Sequence, residues 1–298
     1  MKQLAITTGL LALVVIIMLW ITRPVVLTAD VLPQHTANKS NGERLFLVGG
    51  CASCHSSKDD HSELPSLGGG LSMDTPFGEF RVPNISPDSD DGIGRWTMID
   101  FVNAMQMGVS PDGRHYYPAF PYASYTRMSI EDMIDLKSYL DTLPPVQTRN
   151  KKHSLKFPWS IRAGIGLWKL INLDAEFVVS VPPDNEQLLR GRYLVEGPGH
   201  CGECHTPRDW TGGMDDARWF AGAPNPDGEG KIPNITPHEN GLEDWSEGDI
   251  DYYLESGFTP DFDTVGGSMV KVQENMARLP AEDRAAIAAY LKNIPALE

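Results

Sequence analysis

Cys51-Ala52-Ser53-Cys54-His55 is one copy of a motif that occurs twice in this chain, and Cys201-Gly202-Glu203-Cys204-His205 is the other. The two copies hold all four cysteines of the protein, and a histidine follows each pair directly. Two thiols three residues apart on a helical turn can bond the two vinyl groups at one edge of a porphyrin, and a histidine on the same face can ligate its iron. The motif therefore predicts two covalently bound c-type haems. The expected thioether and iron-ligating residues are Cys51, Cys54, His55, Cys201, Cys204 and His205.

Three other kinds of site use paired cysteines, namely a structural zinc site, a redox-active dithiol and a disulfide. A zinc ion held by all four thiolates would have to bring together two pairs that lie 150 residues apart. It would also leave both histidines of the motif without a role. Haem attachment uses both cysteines and the histidine of each motif, so the sequence favours it over the alternatives.

The sequence around the motif is also duplicated. Val82-Pro83-Asn84-Ile85 corresponds to Ile232-Pro233-Asn234-Ile235, and in each half the asparagine lies 29 residues after the motif histidine. Each half then contains a tryptophan, Trp96 or Trp245, and ends in an amphipathic helix pattern. A repeat of this length predicts that each half folds around its own cofactor.

The local signals predict an all-α fold. The last helix of each half is expected at 131–140 and at 282–291, and Ser129 can cap the first of them. No stretch shows the alternation of a strand, and the Gly-rich segments 68–70 and 222–230 predict loops.

Composition and the repeat together divide the chain into five segments. We expect a transmembrane anchor at 1–23, a tether at 24–41, a first haem domain at 42–145, a connector at 146–184 and a second haem domain at 185–298.

The N-terminal segment has no charged residue between Lys2 and Arg23. At about 1.5 Å per residue, those twenty positions span roughly 30 Å of hydrocarbon. The alternative is a cleaved signal peptide, whose apolar region is normally about 7–15 residues long. The longer run, with Trp20 where interfacial aromatic residues collect, favours a retained membrane helix.

Charge is distributed unevenly along the 298 residues, whose formal net charge is −15. This balance argues against a nucleic-acid partner, because phosphate binding needs a basic face. Residues 182–298 hold 22 Asp/Glu and 9 Lys/Arg, which form either a solubilising surface or a docking face for a basic redox partner. Residues 142–173 hold six Lys/Arg and no acid, which predicts either a connector packed over both domains or a surface for anionic lipid or an acidic partner.

A methionine in each half is expected to close the sixth position of the iron, which favours electron transfer. In the first half Met128 precedes the last helix. The matching position in the second half is Leu279, so the ligand there has moved. Met269, after the flexible stretch Gly266-Gly267-Ser268, is preferred to Met276, which stays open as the alternative.

The repeated segments also contain candidates for contact with the haem propionates. Asn84 and Asn234, together with Trp96 and Trp245, can donate hydrogen bonds to them, and Arg81 can neutralise their charge. The alternative role for these residues is loop scaffolding. Separately, the carbonyl of Pro207 is expected to accept a hydrogen bond from the second nitrogen of the motif histidine and so to fix its orientation.

The longer motifs resemble the cytochrome c subunits of periplasmic, membrane-bound alcohol and gluconate dehydrogenases. The similar stretches are Pro83-Asn84-Ile85, residues 108–115, residues 117–122, residues 199–208 and Gly267-Ser268-Met269. The resemblance implies two tandem cytochrome c domains, where some members of the family carry three haems. It also places Met128 and Met269 at the positions of axial ligands. Haem attachment in such proteins takes place outside the cytoplasmic membrane, which implies haem domains in the periplasm and an anchor in the bacterial inner membrane.

The sequence thus predicts a membrane-anchored dihaem cytochrome c that is not an enzyme by itself. It would pass single electrons from a periplasmic dehydrogenase to a quinone-linked complex or a terminal oxidase of the respiratory chain. The alternative is a dihaem enzyme, a peroxidase or a thiosulfate-oxidising cytochrome, with one open haem site.

Overall fold

A helix of 20 residues, α1 (Lys2–Ile21), begins the chain, and none of its described side chains is buried. The computed structural model describes residues 2–56, 64–225, 228 and 230–298. Within these ranges, α1 is the one helix long and apolar enough to cross a membrane. A signal sequence near an N-terminus has the same properties.

The first half follows α1 and contains five helices and two strands within the described residues. They are α2 (Lys39–Val48), α3 (Cys51–His55), β1 (Ser72–Thr75), β2 (Gly78–Arg81), α4 (Met98–Met107), α5 (Tyr122–Tyr125) and α6 (Ile130–Leu140).

The connector and the second half contain six helices and three strands within the same described part of the chain. They are β3 (Ser154–Leu155), α7 (Gly164–Asn172), α8 (Glu186–Glu196), α9 (Gly202–His205), β4 (Ala223–Pro224), β5 (Lys231–Ile232), α10 (Glu247–Ser256), α11 (Met269–Met276) and α12 (Ala281–Asn293). Two 3-10 turns also lie within the described ranges, at Ala29–Val31, between α1 and α2, and at Asp216–Arg218, in the second half.

Short antiparallel strands are the features that the all-α prediction missed. In the first sheet β2 lies between β1 and β3, and in the second β4 pairs with β5. A strand of two to four residues is too short to show a period of two, so these strands have no recognisable sequence pattern. The chain is helix-rich, as predicted. Residues 226, 227 and 229 of the predicted loop 222–230 lie outside the described residues.

The helix before each motif crosses the last helix of the same half at a glycine. A Cβ atom on Gly42 of α2 would lie 2.1 Å from the carbonyl oxygen of Asp135 in α6. A Cβ atom on Gly191 of α8 would lie 2.0 Å from the carbonyl oxygen of Ala286 in α12. Both distances are far below van der Waals contact, so the close approach of these helices requires glycine.

The helices that follow the two tryptophans begin in the same way. Thr97 and Asp100 form a capping box at the start of α4, and Ser246 and Asp249 form one at the start of α10. Each box satisfies two backbone N–H groups that the first helical turn leaves unpaired. The predicted cap at Ser129 is also present, since its hydroxyl accepts a hydrogen bond from the Asp132 N–H at 3.2 Å.

The buried apolar side chains form two clusters, which we call the first core and the second core. Helix α2 contributes Leu45 and Phe46 to the first core but Leu47 and Val48 to the second, so the two cores share a helix. The first core consists of Leu45, Phe46, Leu67, Ile93, Phe101, Val102, Met105, Tyr125, Met128, Met133, Leu136, Leu140 and Leu143. The second core consists of Leu47, Val48, Leu194, Val195, Trp219, Phe220, Ile250, Leu254, Met276, Leu279, Ile287, Ala288, Tyr290, Leu291 and Ile294.

Candidate functional site

Each motif forms a single helical turn, α3 or α9, that carries its thiols at the protein surface. Cys51 and Cys201 are half-buried and pack against the first and second core, whereas Cys54 and Cys204 are exposed. Burial raises the pKa of Cys51 and of Cys201 to about 12, so both sulfurs are protonated thiols in the unmodified chain.

The motif histidines are held in the same orientation by the same type of bond. Nδ1 of His55 lies 2.8 Å from the carbonyl oxygen of Pro83, and Nδ1 of His205 lies 2.8 Å from that of Pro233. A carbonyl can only accept, so Nδ1 donates in both rings and Nε2 keeps the lone pair that an iron needs. Hydrogen bonding of the second ring nitrogen is the usual way in which proteins orient a ligating histidine.

The prediction that Pro207 supplies this carbonyl was wrong. The Pro207 carbonyl accepts a hydrogen bond from the Asp215 N–H at 2.9 Å. The proline that orients His205 is Pro233, which lies 28 residues after the histidine in the repeated Pro-Asn-Ile segment. The sequence pointed to this segment, but assigned its role to the asparagine.

A second bond ties each histidine to a glycine in a left-handed conformation. The Gly69 N–H donates to the His55 carbonyl at 2.7 Å, and the Gly222 N–H donates to the His205 carbonyl at 2.8 Å. The φ angles of Gly69 and Gly222 are +67° and +86°. We call this arrangement of histidine, proline carbonyl and glycine N–H the histidine clamp.

Both motif histidines are neutral in this environment. Burial lowers the pKa of His55 to about 4 and also lowers the pKa of His205, and in each case the bond to the proline carbonyl opposes the shift. A histidine that stays neutral has its Nε2 available to a metal throughout the physiological pH range.

The two asparagines of the repeat directly follow the clamp prolines, and their side chains hydrogen-bond to the main chain. The side-chain amide of Asn84 donates to the Val146 carbonyl, and that of Asn234 donates to the Leu297 carbonyl, both at 2.6 Å. Their side-chain oxygens accept from the backbone N–H groups of Ser86 and Thr236. These bonds give the asparagines a scaffolding role, and their contact with propionates stays a prediction.

The other residues predicted near the propionates have contacts of their own. Trp96 packs against the first core and Trp245 against the second. Arg81 forms an ion pair with Glu79 at 2.7 Å. Nothing in these contacts tests a propionate role for any of the three, which therefore remains a prediction.

The candidate methionines differ in burial between the halves. Met128 is 3% exposed and belongs to the first core, against which Cys51 also packs. In the second half Leu279, 4% exposed, fills the corresponding place. Met276 lies in the second core, and Met269 is half-buried against it at the start of α11. The choice between Met269 and Met276 therefore stays open.

The two motifs lie next to one another at their N-terminal ends, which the sequence did not predict. Nε2 of His200 lies 3.2 Å from the Gly49 carbonyl oxygen, and the His200 ring lies against Tyr125 with 5.6 Å between centroids. Asn275 donates to the Ser53 hydroxyl at 3.0 Å. His200 has φ +40°, in the left-handed region where Gly50 (φ +55°) lies before the first motif. The one available sequence signal was this replacement of glycine by histidine.

The donor set fits covalent haem and gives no support to zinc. Within the described residues, no three or more His, Cys, Asp or Glu side chains cluster closely enough to hold a metal ion. Each motif instead presents two thiols and one oriented imidazole on a single turn, the set that c-type attachment requires.

Comparison with known proteins agrees with this geometry. Residues 40–144 match the family model described as cytochrome c. The chain is 52% identical over 283 residues to a protein of Cereibacter sphaeroides named "Diheme cytochrome c-type", covering 94% of both chains. The chain belongs to the dihaem cytochrome c family. It is an electron-transfer protein that binds two haem c groups covalently, as the sequence predicted.

Longer relatives are cytochrome subunits of dehydrogenases. The chain is 36% identical to the fructose dehydrogenase cytochrome subunit of Gluconobacter japonicus, over 88% of this chain and 54% of that one. It is 36% identical to the gluconate 2-dehydrogenase cytochrome c subunit of Pantoea cypripedii, over 86% of this chain and 59% of that one. The chain thus spans somewhat more than half the length of these two relatives. The predicted resemblance to dehydrogenase cytochrome subunits is confirmed.

Proposed function

We propose that this cytochrome consists of two tandem cytochrome c domains, 42–145 and 185–298, joined by the connector 146–184. Membrane-anchored through α1, it passes single electrons from a periplasmic dehydrogenase to the respiratory chain. The observation that carries the proposal is the histidine clamp, present in both halves with the same 2.8 Å bond. A carrier needs iron ligands that do not move when the charge of the iron changes, and the clamp fixes the imidazole through the main chain.

The residues of the chain hold the haem and set its environment. When bound, haem c supplies a one-electron couple between ferric and ferrous iron. Cys51 and Cys54 would hold the haem covalently in the first half, and Cys201 and Cys204 would hold it in the second. The apolar side chains of each core would exclude water from the haem and so lower the local dielectric around the iron.

We assign Met128 and Met269 as the sixth ligands. Met128 is supported by its burial in the same core that Cys51 packs against. Met269 is supported by its place at the open end of α11, where its thioether is half-buried rather than enclosed like that of Met276. Thioether ligation at both sites would raise the potentials and exclude small ligands, as suits a carrier.

The partners follow from the relatives and from the charge. Two relatives are named as cytochrome subunits of fructose and gluconate dehydrogenases, which supports a dehydrogenase as the electron donor here. The acceptor would be a quinone-linked complex or a terminal oxidase. With α1 in the bacterial inner membrane, both haem domains would lie in the periplasm, and the acidic second half would attract a basic partner.

Ligand binding to the reduced protein tests the proposal. We expect carbon monoxide to leave the absorption spectrum of the full-length ferrous cytochrome unchanged, because a methionine closes each site. A second candidate function is the dihaem enzyme. It is favoured by Leu279, because leucine stands where Met128 stands in the first half and cannot ligate an iron. Carbon monoxide binding to half of the haem, together with peroxide turnover, would establish the enzyme and contradict the carrier.

A further inference from the structure

Helix α7 buries a lysine and exposes large apolar side chains, which is the reverse of the arrangement expected in a soluble helix. Gly166 and Lys169 are buried, whereas Leu167, Leu170 and Ile171 are 44%, 62% and 58% exposed. In a soluble helix the leucines face the core and the lysine faces water. The outward face of α7 is therefore apolar. The helix lies in the predicted connector and not in either haem domain.

The buried lysine has a structural role that holds α7 in this orientation. Its ammonium group donates to the carbonyl oxygens of Met107 and Gly108, the latter at 2.7 Å, at the C-terminal end of α4. It also lies 4.6 Å from the centre of the Tyr122 ring. A cation at a helix C-terminus satisfies carbonyl groups that have no partner within the helix. The leucines of α7 point outward because the lysine is fixed inward.

The chain before α7 extends the apolar surface. Phe157 is 81% exposed, Trp159 is 51% exposed and Ile161 is 52% exposed. The ring of Trp159 packs edge-on against the exposed ring of Phe77, with 4.9 Å between centroids. We call the following six side chains the α7 surface: Phe157, Trp159, Ile161, Leu167, Leu170 and Ile171.

Positively charged residues precede this surface along the chain. Lys151, Lys152 and Lys156 are exposed, and residues 142–173 include no acid. Apolar and aromatic side chains next to lysines are the composition of segments that lie in the interface of a membrane with anionic lipid.

The α7 surface lies beside the end of α1. A Cβ atom on Gly166 would lie 2.1 Å from the Thr22 carbonyl oxygen, so α7 packs directly on the residue that follows α1. The same carbonyl accepts a hydrogen bond from Nε2 of His115 at 2.8 Å, and the His115 carbonyl accepts one from Arg162 at 2.5 Å. A bilayer crossed by α1 would end at this point, next to the exposed leucines.

We propose that the α7 surface is a second membrane contact, which inserts into the lipid interface beside α1. The proposal rests on the proposed function, because it takes α1 as a retained anchor. Two contacts prevent the haem domains from rotating about a single helix, so the domains keep one fixed orientation above the bilayer. Trp210, which is 91% exposed, adjoins this surface because Thr211 donates to the Asn172 side chain at 3.0 Å.

Photocrosslinking of the full-length holoprotein tests the contact. Benzoylphenylalanine is placed at Leu170, at Leu11 within α1, or at Phe262, which is 86% exposed in the acidic second half. Each protein is illuminated in vesicles of phosphatidylcholine and phosphatidylglycerol, and lipid adducts are identified by mass. We expect adducts at positions 11 and 170, with a yield at 170 on the order of tenfold above that at 262, because an inserted side chain is surrounded by acyl chains.

The outcomes separate this contact from the anchor. Lipid adducts at 11 but not at 170, or equal yields at 170 and 262, would overturn the contact and leave the anchor standing. A mature chain that lacks α1 would contradict the anchor. In that case, adducts at 170 after mixing with the same vesicles would still support the contact, and their absence would overturn it. A polypeptide adduct at 170 in cell membranes, instead of a lipid adduct, would assign the surface to a protein partner.

Discussion

The two halves of this cytochrome agree at the motif histidine and differ at the position proposed for the sixth iron ligand. At the histidine, the two clamps match bond for bond, from the proline carbonyl to the left-handed glycine. At the position proposed for the sixth ligand, Met128 of the first half is replaced by Leu279 in the second. The histidine is thus oriented by main-chain groups, which tolerate sequence change, whereas the proposed sixth ligand is a single side chain and can occupy a different position in each half.

The approach to the motif differs as well. Gly50 precedes the first motif and His200 the second, and both adopt left-handed backbone conformations. Glycine takes this conformation without steric cost, whereas histidine does so at a cost of roughly 1 kcal/mol. The His200 ring contacts the Gly49 carbonyl and Tyr125, so the strained residue joins the second half to the first.

The largest effect is expected at the helix crossings. Gly42→Val and Gly191→Val would each place side-chain atoms where a Cβ alone lies about 2 Å from a carbonyl oxygen. We expect each to destabilise the fold by about 4 kcal/mol or more, because α2 and α6, or α8 and α12, must separate. Chemical denaturation followed by circular dichroism measures this loss. Gly9→Val in α1, where nothing lies within 4 Å of a Cβ, is the control. A stable Gly191→Val would show that the second crossing is not required.

Methionine substitution distinguishes the two sixth ligands. Met128→Ala should lower the potential of the first haem, allow carbon monoxide to bind to it and destabilise the fold by about 2–5 kcal/mol. Met269→Ala should open the second haem, while Met276→Ala should cost stability alone. Absorption spectra of the ferrous proteins with carbon monoxide provide the measurement. Carbon monoxide binding by Met276→Ala, but not by Met269→Ala, would reverse our assignment. Met105→Leu, in the first core, is the matched control.

Alanine at the clamp glycines compares the two clamps directly. A Cβ atom would lie 2.4 Å from the Pro83 carbonyl oxygen at Gly69 and 2.8 Å from the Ile232 carbonyl oxygen at Gly222. We expect Gly69→Ala to cost about 2–3 kcal/mol and Gly222→Ala about 1 kcal/mol less, because both need a left-handed backbone but the first is more crowded. Thermal unfolding gives the comparison. Gly113→Ala, also left-handed but in open space, controls for backbone strain. Equal losses at all three glycines would mean that crowding in the clamp has no role.

The smallest effect is expected at His200. His200→Ala keeps the strained backbone and loses the contacts with Gly49 and Tyr125, so it should cost about 1 kcal/mol. His200→Gly loses the same contacts but relieves a strain of similar size, so its stability should be close to that of the wild type. The difference between the two variants, measured by denaturant titration, isolates the strain. If the alanine variant were as stable as the glycine variant, the backbone at His200 would carry no strain.

The sequence predicted the haem motifs, the duplication and the last helix of each half, because these are local patterns of fixed spacing. It did not predict the proline carbonyls of the clamp, because every residue has a main-chain carbonyl and the residue type does not show which one accepts the bond. Asn84 and Asn234 stood out by repetition, yet the repetition could not distinguish bracing of a loop from contact with a ligand. The sharing of α2 between the two cores and the contact of His200 with Gly49 involve residues about 150 positions apart, which no local pattern records.

Near-infrared magnetic circular dichroism of the ferric full-length protein tests the central claim most directly, because it identifies and counts the axial ligands of each haem. With a clamped histidine and a methionine at both sites, we expect two low-spin haems per chain, both with histidine–methionine ligation. One histidine–methionine haem together with one high-spin haem would contradict it, and would assign the second half to ligand chemistry instead of electron transfer.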